Sequence, residues 1–562
     1  MRAQMQRRAA LGFGCGVICS PVVWPFAHPL ALWVPLLGGA AGAAFAAAVP
    51  RESGGWLDDA FTSGALALPF WLLLEIIVLP LAGGGQPAWT AVGLRAAFGA
   101  LAGWLFFGLM LGAVLNRVLA AAHVALTPVP QAPPAGKPVR VLILGGGFAG
   151  VTTARKLEKL LGADPSFDIT LVSDSNALLF TPMLAEVAGS SLEPTHISTP
   201  LRASLRRTRV VRGHAVAVDP AERRVSLQPD DVQRIARTLE YDHLVLALGS
   251  VSNFFGQSNI ERTAHDFKSL TDAIRIRNAV IANFERADRE SDPVVRRRLL
   301  RFVVAGGGFA GIELAGALND FARGMLAEYP DLDARDVRVT VVHARERILP
   351  ELGPELAAYA LAKMSERGVQ FKLNTRVRDA SATAVFLDPP EEIAAETLVW
   401  TAGTAPNRLL ATLGVERDKR GAVLVEATLA VAGHAGLWAL GDCASIPDLA
   451  AGGTLPPTAQ YALREAETLA YNIRSAVRGA TLRTFHFTSI GALCVIGHQS
   501  ACAELRTPLG GRKVHFSGLF AWLMWRVVYL AKLPGFDRKV RVLIDWVTEL
   551  YFPRDTVQTI EL

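Results

Sequence analysis

"GGGFAG" stands at residues 145–150 and again at 306–311. An apolar run leads into each copy ("VRVLIL", 139–144; "RFVVA", 301–305), and a helix-compatible run follows ("VTTARKLEKLL"; "IELAGAL"). Gly145, Gly147 and Gly150 fill the G-x-G-x-x-G positions of the first copy; Gly306, Gly308 and Gly311 fill those of the second. Glycine in those places permits the tight turn, lets a pyrophosphate approach the backbone, and lets helix and strand pack closely. The positive end of the following helix then faces the phosphates. One such loop is a weak signal. Two, each followed by a further apolar strand ("FDITLVSD", 167–174; "VRVTVVHARERILP", 337–350), predict an α/β fold with two Rossmann-like dinucleotide-binding domains. Two sites in one chain suggest one resident and one exchanging cofactor. A flavin with a nicotinamide is the expected pair, because hydride passes between them.

The residues that end each second strand bear on the riboses. Asp174 is the candidate in the first domain, one place late because Ser173 occupies the usual position. In the second domain His343 replaces the acid, with Arg345 close by. A carboxylate there favours a free 2′-hydroxyl, whereas basic groups tolerate a 2′-phosphate. NADPH therefore stays open as an alternative, and Glu346 is in range of a ribose.

The remaining composition is mixed. Of 562 residues 51% are hydrophobic and 19% charged, with a net charge of +6. Mean hydropathy is +0.30 and the pI about 9.1. The apolar excess lies before residue 125, in stretches near 9–26, 30–49, 65–83 and 96–116. About 20 apolar residues cross a bilayer, so an all-α transmembrane region of four helices is expected. Pro21, Pro25 and Pro35 leave a hairpin or re-entrant segment open for the first two. Arg2, Arg7 and Arg8 before the first stretch and Arg117 after the last place both ends on the cytoplasmic side of a bacterial-type plasma membrane. A cleaved signal peptide fits less well, given the later stretches. Gly99, Gly103, Gly108 and Gly112 are read as close helix packing. Glu75, inside "WLLLEIIVLP", is either functional or structural, as a partner for Arg95 or as a protonated, hydrogen-bonded side chain. The positive charges argue for anionic lipid and against nucleic acid as the partner.

"TPVPQAPPAGKP" (127–138) reads as a stiff linker. The expected organisation is a transmembrane region (1–125), linker (126–138), FAD-binding domain in two parts (139–268 and 404–480), NAD(P)H-binding domain (269–403) and membrane-docking region (481–562). In the last of these, "FSGLFAWLMWRVVYLAKL" (516–533) sets Trp522, Trp525 and Tyr529 on one helical face. "RKVRVLIDWVTELYF" (538–552) does the same for Leu543, Trp546, Val547 and Leu550. Both are read as helices lying in a lipid interface, with Arg538, Lys539 and Arg541 toward the phosphates. Two core or dimer helices are the alternative, and a homodimer stays open. The five cysteines show no CxxC and no zinc spacing. No metal is expected.

With these motifs in order, residues 139–562 resemble the two-dinucleotide-binding-domain flavoproteins, and more narrowly the type II NADH dehydrogenases. "LLFTPMLAEVAG", "YDHLVLALGSVSNFFG", "LVWTAGTAPN", "GLWALGDCA" and "PPTAQYALREAE" carry the resemblance. It implies a membrane flavoprotein that passes hydride from NADH to FAD, and electrons on to a membrane quinone, without pumping protons. By resemblance the loop at Gly145 holds FAD, with Thr181 and Pro182 beside the flavin ring. Ala247, Gly249, Gly403 and Gly441 sit at strand ends against the cofactors, and Asp442 bonds the ribityl chain. Glu313 faces the nicotinamide–flavin contact. Gln460 lines the quinone pocket. Where the family often has a second glutamine this chain has Arg464, a donor for a quinone oxygen or, as the alternative, for an anionic or other non-quinone acceptor. A membrane redox sensor with the N-terminal spans as its output is a separate alternative. Disulfide reductases and sulfide:quinone oxidoreductases need cysteines beside the flavin, and none occurs between Cys19 and Cys443.

Overall fold

The computed structural model describes residues 2–26, 34–48, 56–82, 84–86, 98–124, 137–161, 164–228, 237–507 and 512–558. Most of the linker, and Arg95, lie outside them, as do the side chains of Arg2, Arg7 and Arg8. The chain divides into two compact units, Met1–Pro130 with Leu523–Ile544, and Gln131–Trp522 with Asp545–Leu562.

The larger unit is built on two parallel sheets. Four consecutive residues, Val141 to Leu144, are buried, as are Ile169, Leu171 and Val172 in the neighbouring strand. Continuous apolar runs of this kind belong to strands covered on both faces. The first sheet runs in the order Leu437–Ala439, His243–Leu246, Val139–Leu144, Phe167–Ser173, Arg209–Arg212, all parallel. The second runs His265–Asp266, Thr397–Trp400, Arg301–Ala305, Arg338–Val342, Gln370–Lys372, again all parallel. His265–Asp266 therefore pairs in the second sheet, ahead of the residue 268/269 boundary drawn from sequence. Antiparallel strands Ser250–Ser252 and Thr404–Pro406 carry the chain out of one sheet and back. Helix Leu270–Arg289 starts on a reciprocal cap: Ser269 Oγ accepts from Asp272 N, and Asp272 accepts from Ser269 N. A three-stranded antiparallel sheet, Gly491–Val495, Ala501–Arg506 and Lys513–Ser517, precedes the last helices.

Among the described residues of the smaller unit, each of the four apolar stretches contains a helical segment. Arg2–Cys19 continues into a 3-10 turn, Trp56–Trp71 into a π segment at Leu72–Val78; Val34–Ala48 and Phe98–Val124 are α-helical. Among the described residues only Gly99–Leu119 is long and apolar enough to cross a membrane. Glycines bring the backbones together in pairs. A Cβ on Gly16 would lie 2.0 Å from Gly38 O, and one on Gly112 would lie 2.1 Å from Asp59 O. Gly108 is packed in the same way against Ser63, whereas Gly99 faces open space. Glu75 accepts from Trp104 Nε1 at 3.2 Å.

The helices Gly518–Lys532 and Phe536–Thr548 differ from the lipid-facing expectation. Trp522, Trp525 and Lys539 are 7%, 2% and 5% exposed. Lys539 donates to Thr62 Oγ1 at 3.3 Å, and Phe536 packs edge-on against Phe61 at 4.5 Å. Phe536 and Lys539 are thus covered by an N-terminal helix of their own unit, while the Trp522 ring meets His498 edge-on at 6.0 Å. Trp546 is also buried, donating to Glu186 Oε2 at 3.2 Å. Arg541, Leu543, Val547 and Leu550 remain exposed.

Candidate functional site

The two glycine loops adopt the same geometry. Gly145 and Gly306 have φ of +116° and +118°, where a side chain is strained. Each is hydrogen-bonded to the neighbouring strand: Gly145 N to Val172 O, and Gly306 N to Val342 O, both at 2.9 Å. A Cβ on Gly150 would stand 1.9 Å from Gly145 O, and one on Gly311 2.0 Å from Gly306 O. The first and third glycines of each loop are thus packed shut. The second is open: nothing lies within 4 Å of a Cβ on Gly147, and only Glu351 Oε1, at 3.9 Å, meets one on Gly308. Each loop exposes its backbone where a pyrophosphate must approach, at the start of a helix. The residues present therefore fit a dinucleotide in both copies.

The flanks differ. Beside the first loop the Ser173 hydroxyl reaches the space a Cβ on Gly146 would fill. Asp174 points outward, its side chain 72% exposed and 3.1 Å from His214 Nδ1. Beside the second loop the His343 ring holds the equivalent place and accepts the Gly307 N–H on Nδ1 at 3.0 Å. Burial pushes the His343 pKa down, so the ring is neutral with its proton on Nε2. Arg345 and Glu346 are exposed. The segment after His343 folds back over the loop, with Leu349 N donating to Gly307 O at 2.7 Å.

Between the loops the strand ends bring in the remaining residues. Ala247 N bonds Leu144 O at 2.9 Å and so sets the end of strand His243–Leu246 beside the first loop. Gly249 and Gly441 have φ of +63° and +72°. Gly403 O accepts from Asn253 N at 3.1 Å, under the Phe255 ring. Thr181 and Pro182 form a 3-10 turn after the buried Phe180, whose ring meets Phe148 edge-on at 5.7 Å. Glu313, on the first turns of the second loop's helix, accepts from Val495 N at 3.2 Å.

Asp442 accepts from Ser250 Oγ at 2.8 Å, and Ser250 Oγ accepts from Lys268 Nζ at 3.0 Å. Behind this turn Gly441 N donates to Glu465 Oε2 at 2.8 Å. Glu465 is 2% exposed; burial, with the Asp442 charge adding to it, pushes its pKa up to about 7. Sequence reasoning missed Lys268, Ser250 and Glu465. Glu465 follows Arg464 inside a quoted motif, and its acid on the apolar face of a helix was the available signal. Cys443 is buried, its thiol pushed up to about 12, and is inert as a nucleophile.

Gln460 and Arg464 are engaged within the chain. The Gln460 amide bonds the backbone of the next sheet, donating to Gly491 O at 3.2 Å and accepting from Ile490 N at 3.0 Å. Arg464 lies 5.8 Å over the Phe487 ring and 3.9 Å from Glu467.

Comparison with known proteins agrees with this geometry. Residues 139–466 match the family described as pyridine nucleotide-disulphide oxidoreductase, and residues 490–555 match the NDH2 C-terminal domain. The chain is 31% identical over 437 residues to a type II NADH:quinone oxidoreductase of Mycobacterium tuberculosis, covering 74% of this chain and 90% of that one. It is 27% identical over 386 residues to the enzyme of Staphylococcus aureus, covering 67% and 92%. In fold it is similar to NDH2 of Plasmodium falciparum, solved in complex with NADH, with a TM-score of 0.69 and 19% identity over 75% of this chain and all of that one. The sulfide:quinone oxidoreductase of Aquifex aeolicus shares the fold more distantly, with a TM-score of 0.54 and 19% identity over 74% of this chain and 96% of that one. A pair of parallel-sheet cradles, the Asp442 turn between them and these matches together establish that the chain belongs to the type II NADH:quinone oxidoreductase family of flavoproteins.

Proposed function

We propose that the Gly145 loop retains FAD, that the Gly306 loop receives NADH, and that the acceptor is a quinone drawn from the membrane. The bound flavin supplies the redox chemistry, taking a hydride and releasing two electrons. The chain's own residues bind, orient and exclude water. Gly147 and Gly308 offer open backbone to the two pyrophosphates, Asp442 accepts from the ribityl chain, and Thr181 with Pro182 backs the flavin ring. Ser173, with Asp174 turned away, leaves the FAD ribose to a hydroxyl rather than a carboxylate. Glu313 keeps its carboxylate fixed through Val495 N–H, available to the nicotinamide side. Neutral His343 with Arg345 leaves the second site open to NADPH as well.

Gln460 supports the quinone pocket by fixing the turn at 490–491 rather than by offering its amide, and Arg464, beside Phe487 and Glu467, contributes a donor there. The catalytic unit works on the cytoplasmic face, tethered by the N-terminal helices and the exposed end of the last helix, without proton pumping.

The observation that carries this reading is the repeated pattern in which only the middle glycine of each loop is open. Anaerobic titration of the purified yellow protein with NADH, followed by a quinone analogue, tests it. Bleaching of the flavin by NADH and recovery on quinone addition is expected. A preparation that binds no flavin, or whose reduced flavin is not reoxidised by any quinone, refutes it.

A further inference from the structure

Lys268 has no role in the reading above, yet it stands at the crossing between the two sheets. Its backbone is fixed from one side: Lys268 N donates to Asp272 Oδ2 at 3.1 Å, within the cap of helix Leu270–Arg289. Its side chain runs the other way. Nζ donates to Ser250 Oγ at 3.0 Å, and that hydroxyl donates onward to Asp442 Oδ2 at 2.8 Å. Three residues from three separate segments thus form one line, ending on the carboxylate of the flavin motif. A second acid, Asp266, draws on the same ammonium. Asp266 is already engaged, by Ser252 Oγ and by Phe267 N at 2.7 Å.

A lysine ammonium has three donors. Here one is spent on Ser250, in a place where burial disfavours the charge and pulls the lysine pKa down. Such a placement is costly unless something nearby keeps the ammonium charged. A serine alone does not; a carboxylate beyond it, and an electron-rich ligand, do. The serine also has an orienting effect. Because its hydroxyl accepts from Lys268, its own proton is directed at Asp442. That leaves the carboxylate's remaining lone pairs for a second donor.

We propose that Lys268 is a positioning residue for the flavin, orienting the Asp442 carboxylate through Ser250 and placing a positive charge at the domain crossing that favours the reduced cofactor. This inference rests on the assignment of FAD to the Gly145 loop and Asp442. A cation held in a partly buried site stabilises the negative charge a flavin gains on reduction more than it stabilises the oxidised form. Lysine is a compact point charge, and arginine at the same place keeps the charge while changing the donor geometry.

The test uses the full-length protein in detergent, as wild type, Lys268→Met and Lys268→Arg. Flavin occupancy is read from the ratio of flavin to protein absorbance after purification, and the flavin midpoint potential by spectroelectrochemical titration. Far-UV circular dichroism and the thermal transition report folding. Lys268→Met is expected to fold and to lose flavin on dilution at least fivefold more readily. In it the ratio of reduced to oxidised flavin at a given potential should fall about tenfold, a shift of about −30 mV for a two-electron couple. Lys268→Arg should return the potential toward wild type.

A folded Lys268→Met with unchanged potential overturns the proposal. So does a Lys268→Arg variant shifted as far as the methionine one, since charge would then not matter. Should Lys268→Met fail to fold, Lys268→Arg with Ser250→Ala decides. The proposal requires a wild-type-like potential in the arginine variant and weakened flavin retention in the alanine variant, and either result missing refutes it. A wild-type protein that holds no flavin refutes the FAD assignment instead, and the two failures are told apart by that control.

Discussion

Glu465 offers the sharpest quantitative test of how the flavin-side turn is built. Its carboxylate is 2% exposed, sits in the apolar core beneath the first cradle and accepts the Gly441 N–H at 2.8 Å. Burial is the main reason its pKa rises from 4.5 to about 7, with the neighbouring Asp442 charge acting in the same direction and the Gly441 bond opposing both. In the unfolded chain the acid ionises near 4.5; in the folded protein it keeps its proton until about 7. Between those values the folded state binds more protons than the unfolded one, so stability falls as pH rises and then levels off above 7. At about 1.4 kcal/mol per pH unit, the cost at pH 8 is roughly 3 kcal/mol.

Glu465→Gln should remove that cost. Its amide oxygen can still accept from Gly441 N–H, and its NH2 stands where the protonated acid carries its hydrogen. A chain of several units does not melt in one step, so the readout is local: the temperature at which flavin fluorescence is released on heating, from pH 5 to 8. About 2.5 kcal/mol of that cost falls between pH 5 and 8, so the wild-type release temperature is expected to fall by roughly 5–10 °C, at 2–4 °C per kcal/mol for a domain of about 200 residues. The variant's should stay flat and exceed wild type at pH 8. A Glu465→Gln protein that keeps the wild-type slope would show that another group titrates and that Glu465 is ionised throughout.

The loop glycines should separate by position. Gly150→Ala puts a methyl 1.9 Å from Gly145 O and is expected to give insoluble or flavin-free protein. Gly147→Ala has room and should fold yet hold FAD at least tenfold more weakly, as measured by occupancy after dialysis. His343→Asp places a carboxylate where a 2′-phosphate would lie, and should lower kcat/KM for NADPH at least tenfold while changing that for NADH less than threefold. An equal loss for both nucleotides would count against the 2′-phosphate reading. Deleting residues 1–125 uncovers Phe536 and Lys539, which Phe61 and Thr62 cover. The truncated protein should keep its flavin but aggregate without detergent, by light scattering. A monodisperse, detergent-free product would show that those contacts are dispensable.

The two cradles were legible because their requirements are local. A positive φ and a 2 Å backbone approach admit glycine alone, so the residues announce the geometry. Other features depend on partners far along the chain. Lys268 meets Ser250 and Asp442 across 18 and 174 positions, and no periodicity reports that. Asp174 is the ribose candidate because it is acidic and stands at the strand end. The buried place next to Gly146 belongs to Ser173, and alternation along a strand turns the next residue outward. The stripe of Trp522, Trp525 and Tyr529 was correctly seen as a helical face, but a stripe does not say what covers it. Buried Trp525 and Lys539 belong to one unit with the N-terminal helices, so protein covers what lipid was expected to cover. The third apolar stretch reads as one long span by composition, yet a π segment at Leu72–Val78 interrupts the α-helix around Glu75.

Identical hexapeptides do not make identical sites, and what closes over each loop explains the division of labour between them. The first loop lies under the returning chain. A Cβ on Gly441 would touch Ala149, on the first loop's helix, at 3.3 Å and Ala462, on helix Ala459–Val477, at 3.7 Å. Three elements meet there with no room to part, and Glu465 ties the turn from below. Such a packed surround suits the cofactor proposed to stay. The second loop is covered by the segment after His343, hung on the Leu349–Gly307 bond, with Leu349 itself at a φ of +47°. A short loop held in a strained conformation opens at far lower cost than a packed helix, which suits a nucleotide that must leave after every turnover. On the proposed assignment, the residues that would distinguish a resident from an exchanged cofactor therefore lie outside the repeated motif, in the parts of the chain that fold back on it.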